Sequence, residues 1–234
     1  MPTKLPVGDQ LEFKPARPPG RETLRGTHVL LRPLNADGDA DPLYMESHPP
    51  DSDPAIWTYL PDGPYQSAAH LRRMLAWAQT SEDPLYFAIV RQPEERPSGM
   101  ACYLRITPEF GVIEIGHIWF GASLQRTTAA TEAIFLLARH AFDDLGYRRL
   151  EWKCNALNAS SCRAAERFGF TFEGVFRKHM VVKGRNRDTA WFSITDDEWP
   201  AIRLGFERWL APENFDETGA QRRRLSDLIA EARS

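Results

Sequence analysis

The chain contains only three cysteines, Cys102, Cys154 and Cys162, too few and too irregularly spaced for a disulfide framework or a zinc site. Each reads as a small buried hydrophobe, and a reducing, cytoplasmic setting is the simplest expectation. No uninterrupted run of about 18 apolar residues occurs, so no membrane-spanning helix is expected. The opening MPTKLPVGDQ lacks the apolar core of a secretory leader, which points away from export. Neither sign of charge dominates: 29 Lys and Arg stand against 32 Asp and Glu, a formal net charge of −3. That balance offers no strong field for nucleic acid or an anionic membrane. No internal repeat is visible. What is present is a 234-residue chain, 42% hydrophobic, long enough for one generous domain that buries about 70–75% of its unfolded surface.

Residues 1–23 hold five prolines (Pro2, Pro6, Pro15, Pro18 and Pro19) and little periodicity, and read as an extended arm, ordered only if it lies on the body or on a partner. Gly26–Leu34 looks like a strand closed by Pro33, Asp37–Ser47 like a short helix, and the proline-rich His48–Gly63 like a loop. In Gln66–Thr80, Leu71, Met74, Leu75 and Ala78 recur at helical steps. The period then drops to two. Leu85–Arg91, Gly99–Ile106 and Gly111–Phe120 read as an antiparallel meander, with Gly116 marking a bulge or a close backbone approach. Gln125–Leu145 carries the clearest helical stripe, stopped by Gly146. Tyr147–Cys154 follows as a strand and Asn158–Phe168 as a helix. Phe170–Val182 and Asp188–Thr195 form a hairpin around Lys183-Gly184-Arg185-Asn186. Thr195-Asp196-Asp197-Glu198 is a capping-box pattern that should open another helix. A last helix near Gln221–Ala232 turns Leu225, Leu228 and Ile229 to one side, for packing on the body or on a second subunit, so a homodimer is open. The order predicts a mixed α/β (α+β) sheet, mostly antiparallel, flanked by helices. It should open where its connectivity changes, with a ligand in the opening.

Two stretches suit a phosphate-bearing ligand. Gln125-Arg126-Thr127-Thr128-Ala129-Ala130 opens the best helix. A helix start offers up to four unpaired N–H groups and about half a positive charge, so a pyrophosphate there gains several hydrogen bonds at once. Arg126 adds charge, Thr127 and Thr128 add hydroxyls, and Ala129 and Ala130 leave the backbone uncrowded. A threonine-capped helix without a ligand is the plainer alternative. Downstream, Leu150–Gly174 compresses a strand, a cap, a helix and a second strand into one short run beside it.

Gln125-x-x-Thr128-x-Ala130 resembles the Q/R-x-x-G-x-G/A loop of the GNAT superfamily of acyl-CoA-dependent N-acyltransferases, with Thr128 in a glycine position. Thr131-Glu132-Ala133 is similar to the continuation in its RimJ/RimL-like branch. Asn158-x-x-Ser161, then Glu166-Arg167-Phe168-Gly169-Phe170 and Glu173-Gly174, resembles the N-x-x-S and G-F-x-x-E-G run of that branch. The likeness covers roughly Gly26 to Trp199. It implies a GNAT-like fold, acetyl-CoA as donor substrate, no metal, and direct attack on the thioester by a primary amine of a peptide, a protein or a small molecule. The alternatives are a larger donor such as succinyl-CoA, or a non-catalytic acyl-CoA-binding or regulatory protein. The chain then divides into the arm at 1–23, an acyl-CoA N-acyltransferase domain at 24–200, and a C-terminal helical extension at 201–234. On this resemblance Gln125, Arg126, Thr127, Thr128, Ala129 and Ala130 hold the pyrophosphate, and the strand carrying Ile118 and Phe120 pairs with the pantetheine arm. Asn158 bonds the pantetheine amides, and Ser161 donates to the departing thiolate.

The attacking amine must be neutral. An α-amine with a pKa of about 8 is roughly 10% neutral at pH 7, whereas a lysine amine at about 10.4 is below 0.1%, so a base helps. Glu114 is the candidate: it sits mid-strand among apolar neighbours, where burial would raise its pKa. Its spacing of eleven residues before Gln125 resembles that of the catalytic strand glutamate in the histone-acetylating branch. A solvent-facing or arginine-paired glutamate is the alternative, and His117 is a second candidate base. Arg105, Arg177, Arg185 and Arg187 could line an acceptor site. Trp57, Tyr59, Tyr65, Trp119 and Trp191 could wall it or belong to the core.

Overall fold

The computed structural model describes residues 5–50, 52–92 and 94–234, so Pro2 of the arm lies outside the described residues. The period-two segments assemble into one eight-stranded sheet: β1 (Leu24–Arg25), β2 (Val29–Pro33), β3 (Leu85–Arg91), β4 (Arg96–Thr107), β5 (Val112–Phe120), β6 (Arg149–Asn155), β7 (Thr171–Val182) and β8 (Arg185–Thr195). Their spatial order is β1-β2-β3-β4-β5-β6-β8-β7. Every neighbouring pair is antiparallel except β5 and β6, which run parallel.

Helices α1 (Ala36–Ser47) and α2 (Ala68–Ala78) cover one face, and α3 (Thr128–Arg139), α4 (Ala159–Arg167), α5 (Trp199–Leu210) and α6 (Leu225–Arg233) the other. Strand β3 shows why both faces need cover. Leu85, Phe87 and Ile89 enter the core beneath α3, while Tyr86, Ala88 and Val90 enter a second core beneath α1 and α2. Alternate side chains point to opposite faces, so a central strand apolar at every position is buried on both.

Several boundaries differ from the sequence expectation for identifiable reasons. The Gln125–Leu145 segment is an α-helix only from Thr128; at its far end it loosens into a π-helical turn, His140–Asp144, before Gly146 stops it at φ +80°. The bulge expected at Gly116 is present. Met100 pairs with Trp119 but Cys102 with Gly116, and the extra residue places His117 at φ +47°. The hairpin turn is tighter than expected: Lys183 and Gly184 alone form it, both left-handed as a type I′ turn requires, so β8 starts at Arg185. The capping box forms by half. The Thr195 N–H donates to Glu198 Oε2 at 2.9 Å, the return bond of the motif, but Thr195 still pairs in β8 with Arg149, and its hydroxyl donates to Glu198 Oε2 at 3.0 Å rather than accepting from a helix N–H. Helix α5 begins after Glu198, with Pro200 in its first turn.

The last helix packs on the body. Leu225, Leu228 and Ile229 join the main core, and a side chain at Gly205 of α5 would meet Ile229 Cγ1 at 2.4 Å. Helix α5 spans the division between residues 200 and 201, and its Phe206 stacks on Phe135 and Phe168 of that core. From Phe13 on, the arm lies on the body: the Ala16 N–H donates to Pro108 O and the Arg17 N–H to Leu145 O, whereas residues 5–12 are exposed. No helix among the described residues is long and apolar enough to cross a membrane.

Candidate active site

The site follows from how β5 and β6 meet. Their parallel pairing runs only from Val112 with Arg149 to Ile115 with Trp152. Beyond Ile115, β5 continues to Phe120 bonded to β4 alone, while β6 stays with β8. The bulge at His117 bends β5 away at this point. The strands splay, and the edge of β5 that carries Ile118 and Phe120 faces a cleft of about 660 Å³.

Downstream of β5, α1 holds the chain in place. The Glu46 carboxylate accepts from Ser123 N at 3.1 Å and from Ser123 Oγ at 2.8 Å, and Gly121 leaves room for it, since a side chain there would lie 2.6 Å from Glu46. Gln125 Nε2 donates to Phe120 O at 3.0 Å, closing the loop onto the strand end. Thr127 caps α3, its Oγ1 accepting from Ala130 N at 3.1 Å. The N–H groups of Arg126, Thr127, Thr128 and Ala129 find no acceptor among the described residues. Four such donors at a helix start suit a pyrophosphate. Thr128, in the glycine position of the resembled loop, is the first helical residue and needs no special backbone. The left-handed position falls on Arg126, at φ +60°, at a cost of about 1–3 kcal/mol. Gln125 lines the cleft, whereas Arg126–Ala130 lie beyond its walls.

Opposite stands the start of α4. Asn158 is its N-cap, with Oδ1 accepting from Ser161 N at 3.1 Å. Ser161 Oγ accepts from Trp152 Nε1 at 3.0 Å, which leaves the Ser161 hydroxyl proton available to donate. Both residues line the cleft. Beside them Cys154 Sγ lies 3.6 Å from Cys162 Sγ, and burial pushes the Cys154 thiol up to about 12. A thiol held protonated is a poor nucleophile, so this cysteine does not suit a covalent acyl relay.

The far wall is built on the other face of the sheet. Glu114 and Glu151 are cross-strand partners. Glu114 Oε2 accepts from Arg105 Nη1 at 2.5 Å and from Lys153 Nζ at 3.0 Å. Lys153 also reaches Glu151 Oε2 at 2.6 Å and lies over the Trp191 ring. The arginine-paired arrangement of Glu114 is therefore the one present, with a lysine added. Three residues on, His117 faces the cleft with Nδ1 3.4 Å from Tyr86 Oη. Burial lowers its pKa and keeps the imidazole neutral at pH 7. Its Nε2 has no hydrogen-bond partner among the described residues.

Of the other candidates, Arg105 and Arg187 line the cleft, while Arg177 and Arg185 are exposed away from it. Trp57 and Tyr65 are buried in the second core, Tyr59 and Trp119 line the cleft, and Trp191 backs Lys153. Sequence reasoning missed Lys153, Tyr86 and Lys183. Lys153 had a signal: alternation in Leu150–Asn155 puts Glu151 and Lys153 on the face opposite Trp152. Lys183 had none. Its Nζ crosses from the hairpin tip to Trp57 O at 2.7 Å and Asp62 O at 3.1 Å, while Tyr59 Oη donates to Leu157 O at 3.2 Å. Together these bonds strap the Pro54–Gly63 loop across the cleft.

A donor-rich helix start beside a forked pair of parallel strands defines an acyl-CoA-dependent transferase. Comparison with known proteins makes the assignment specific. Residues 28–171 match the family described as the acetyltransferase (GNAT) domain. The crystal structure of a GCN5-related N-acetyltransferase from Brucella melitensis is 46% identical, covers 94% of this chain and 99% of its own, and superposes with a TM-score of 0.90. A probable acetyltransferase of the same family from Chromobacterium violaceum is 38% identical over 86% of this chain and 100% of its own, with a TM-score of 0.77. The probable N-acetyltransferase YjcK of Bacillus subtilis is 24% identical over 181 residues, 75% of this chain and 99% of that protein. The chain belongs to the GNAT acetyltransferase family, an acyl-CoA-dependent N-acetyltransferase that draws on acetyl-CoA.

Proposed function

We propose that this chain acetylates the primary amine of a small molecule by direct attack, with His117 as the proton acceptor and Ser161 as the donor to the leaving sulfur. The observation that carries the reading is the fork itself, which sets the free edge of β5 and the α4 start around one cleft, with Gln125 of the loop that leads into α3 on its wall. Gln125, Arg126, Thr127, Thr128, Ala129 and Ala130 would hold the pyrophosphate of acetyl-CoA. The backbone of Ile118 and Phe120, with Asn158, would hold its pantetheine arm, and the bound thioester supplies the electrophilic carbonyl.

In the transfer, the amine nitrogen gains a bond to the acetyl carbon and the carbon–sulfur bond breaks. His117 Nε2 takes the proton the nitrogen gives up, which requires Nδ1–H to donate to Tyr86 Oη. Ser161 steadies the thiolate by a hydrogen bond, and the proton lost from His117 to solvent balances the one the thiolate takes up to leave as the free thiol. Glu114, the base suggested by strand position, has Oε2 committed to two cations, so its role here is to fix Arg105 and Lys153 beside the cleft. The strap of Lys183 and Tyr59 supports a small acceptor. The RimJ/RimL-like motifs support a peptide α-amine as the second reading, which requires the strap to open.

Release of free thiol from acetyl-CoA with a panel of amines tests this. His117→Gln should lower kcat by about 10²–10⁴-fold, while Glu114→Gln should act mainly on KM. A Glu114→Gln loss steepest at low pH, with His117→Gln near wild type, would return the base to Glu114. If CoA raises the melting temperature and no amine turns over, the chain is an acyl-CoA-binding protein.

A further inference from the structure

The charges around the acceptor side do not balance in pairs. Arg105 is spent on Glu114, and Lys153 on Glu114 and Glu151. Arg187, on β8, lines the same cleft half-buried, and no carboxylate among the described residues lies within ion-pair distance of it. Its Nε donates to Thr189 Oγ1 at 3.2 Å, which orients the guanidinium and leaves the four N–H bonds of Nη1 and Nη2 without an acceptor among the described residues. Burial has already stripped part of its water, lowering its pKa. Of the lining carboxylates, Asp62 acts electrostatically on His117, Tyr86 and Lys183, and Glu114, already bonded to Arg105 and Lys153, acts on Arg187 only from beyond ion-pair distance, its pull opposed by Arg105. A guanidinium that is desolvated, oriented and unpaired is costly unless a ligand completes it, and its fork matches a carboxylate in two parallel hydrogen bonds.

We propose that Arg187 is the specificity residue for the acceptor and that the acceptor is an amine bearing a carboxylate. One uncompensated positive charge matches a singly charged carboxylate better than a doubly charged phosphate. The inference rests on the acetyltransferase reading and deepens it. Arg187 and Ser161 line the same cleft, and Arg187 lies just beyond the pairing of Asn155 with Thr189 that ends the ladder between β6 and β8, so a carboxylate held by Arg187 would anchor the acceptor within the cavity that receives the thioester.

The test uses the full chain, acetyl-CoA and matched amines: L-phenylalanine with L-phenylalaninamide, glycine with glycinamide, and O-phosphoethanolamine with ethanolamine. Free thiol gives kcat/KM for each. Arg187→Gln should lower the ratio of carboxylate to amide by about 10- to 100-fold, with Arg187→Lys falling between. Comparing variant with wild type cancels the difference in amine pKa within each pair. A rise confined to the KM of acetyl-CoA would place Arg187 on the donor instead and overturn the proposal. So would a ratio that does not move, a response seen only with the phosphate pair, or turnover of neutral amines without turnover of carboxylates. In that last case the acetyltransferase reading stands alone. If CoA raises the melting temperature and none of the six amines reacts, the acetyltransferase reading falls and the inference with it.

Discussion

Glu132 offers the sharpest test of how the start of α3 is anchored. It sits in the second turn of α3 with its carboxylate buried, and it accepts three backbone N–H groups from the turn between β1 and β2: Thr27 at 2.8 Å, His28 at 2.6 Å and Val29 at 3.0 Å. Gly26 completes the fit, since a side chain there would fall 2.4 Å from the carboxylate carbon. Truncation to alanine orphans all three donors. The Val29 N–H is fully buried and costs about 1–3 kcal/mol when left unmade. Thr27 and His28 lie nearer solvent, where water recovers most of the loss, leaving about 0.5 kcal/mol each. Glu132→Ala should therefore cost about 3 kcal/mol, or a fall in Tm of about 6–12 °C for a chain of this size. Urea titration followed by tryptophan fluorescence measures it, and an unchanged m-value shows that the denatured state is not the cause. Glu132→Gln should recover part of the loss, because its carbonyl oxygen still accepts while its NH₂ opposes one donor. A loss below about 1 kcal/mol for the alanine variant would refute the claim that this carboxylate clamps β2 to α3.

Other perturbations have equally definite signs. Arg149 grips Glu173 through two parallel bonds at 2.7 and 2.6 Å, and this holds the Glu173 carboxyl down at about 2. Its folded pKa is depressed, so its stabilisation is present above the unfolded value near 4.5 and disappears as pH falls through about 2. Partial exposure reduces the worth to about 1 kcal/mol, and the gap in urea midpoint between wild type and Glu173→Gln should narrow by more than half from pH 7 to pH 3. Burial lifts the Cys154 thiol to about 12, so iodoacetamide should label it at pH 8 at least about 100-fold faster in unfolding urea than in the native protein. That raised pKa adds stability that is full below the unfolded thiol value and is lost as pH rises towards 12. Thr127→Val removes the side-chain cap on Ala130; it should cost about 1 kcal/mol and weaken CoA binding measured by calorimetry.

Most of the sheet was legible because its strands are short apolar or alternating runs whose breaks carry glycine or proline. The α3 start and the Asn158 cap were legible because a cap is a local device, set within three residues. Features that depend on chain segments distant in sequence were not. Thr195-Asp196-Asp197-Glu198 reads as a capping box until β6 is seen to hold Thr195 in the ladder, where its hydroxyl has no helix N–H to accept. Glu114 reads as a buried acid until Arg105 from β4 and Lys153 from β6 converge on the same oxygen. The tie from Lys183 to the Trp57 loop joins residues 126 positions apart and leaves no mark in either stretch. Arg187 was one arginine among three on a hairpin, and only partial burial without a carboxylate partner separates it from the other two.

The fork between β5 and β6 also bears on how long the protein survives. From Gly116 to Phe120 the sheet has an unfinished seam, and open strand edges are where chains pair wrongly with one another. Under the proposed binding mode, acetyl-CoA laid along that seam would act as a removable structural part as well as a reagent. A ligand that binds only the folded state adds about 2.7 kcal/mol at a hundredfold excess over its Kd and about 1.4 kcal/mol for each further tenfold. Resistance to unfolding and clumping would then rise and fall with donor supply, so the enzyme persists where its acetyl source is plentiful and decays where it is scarce.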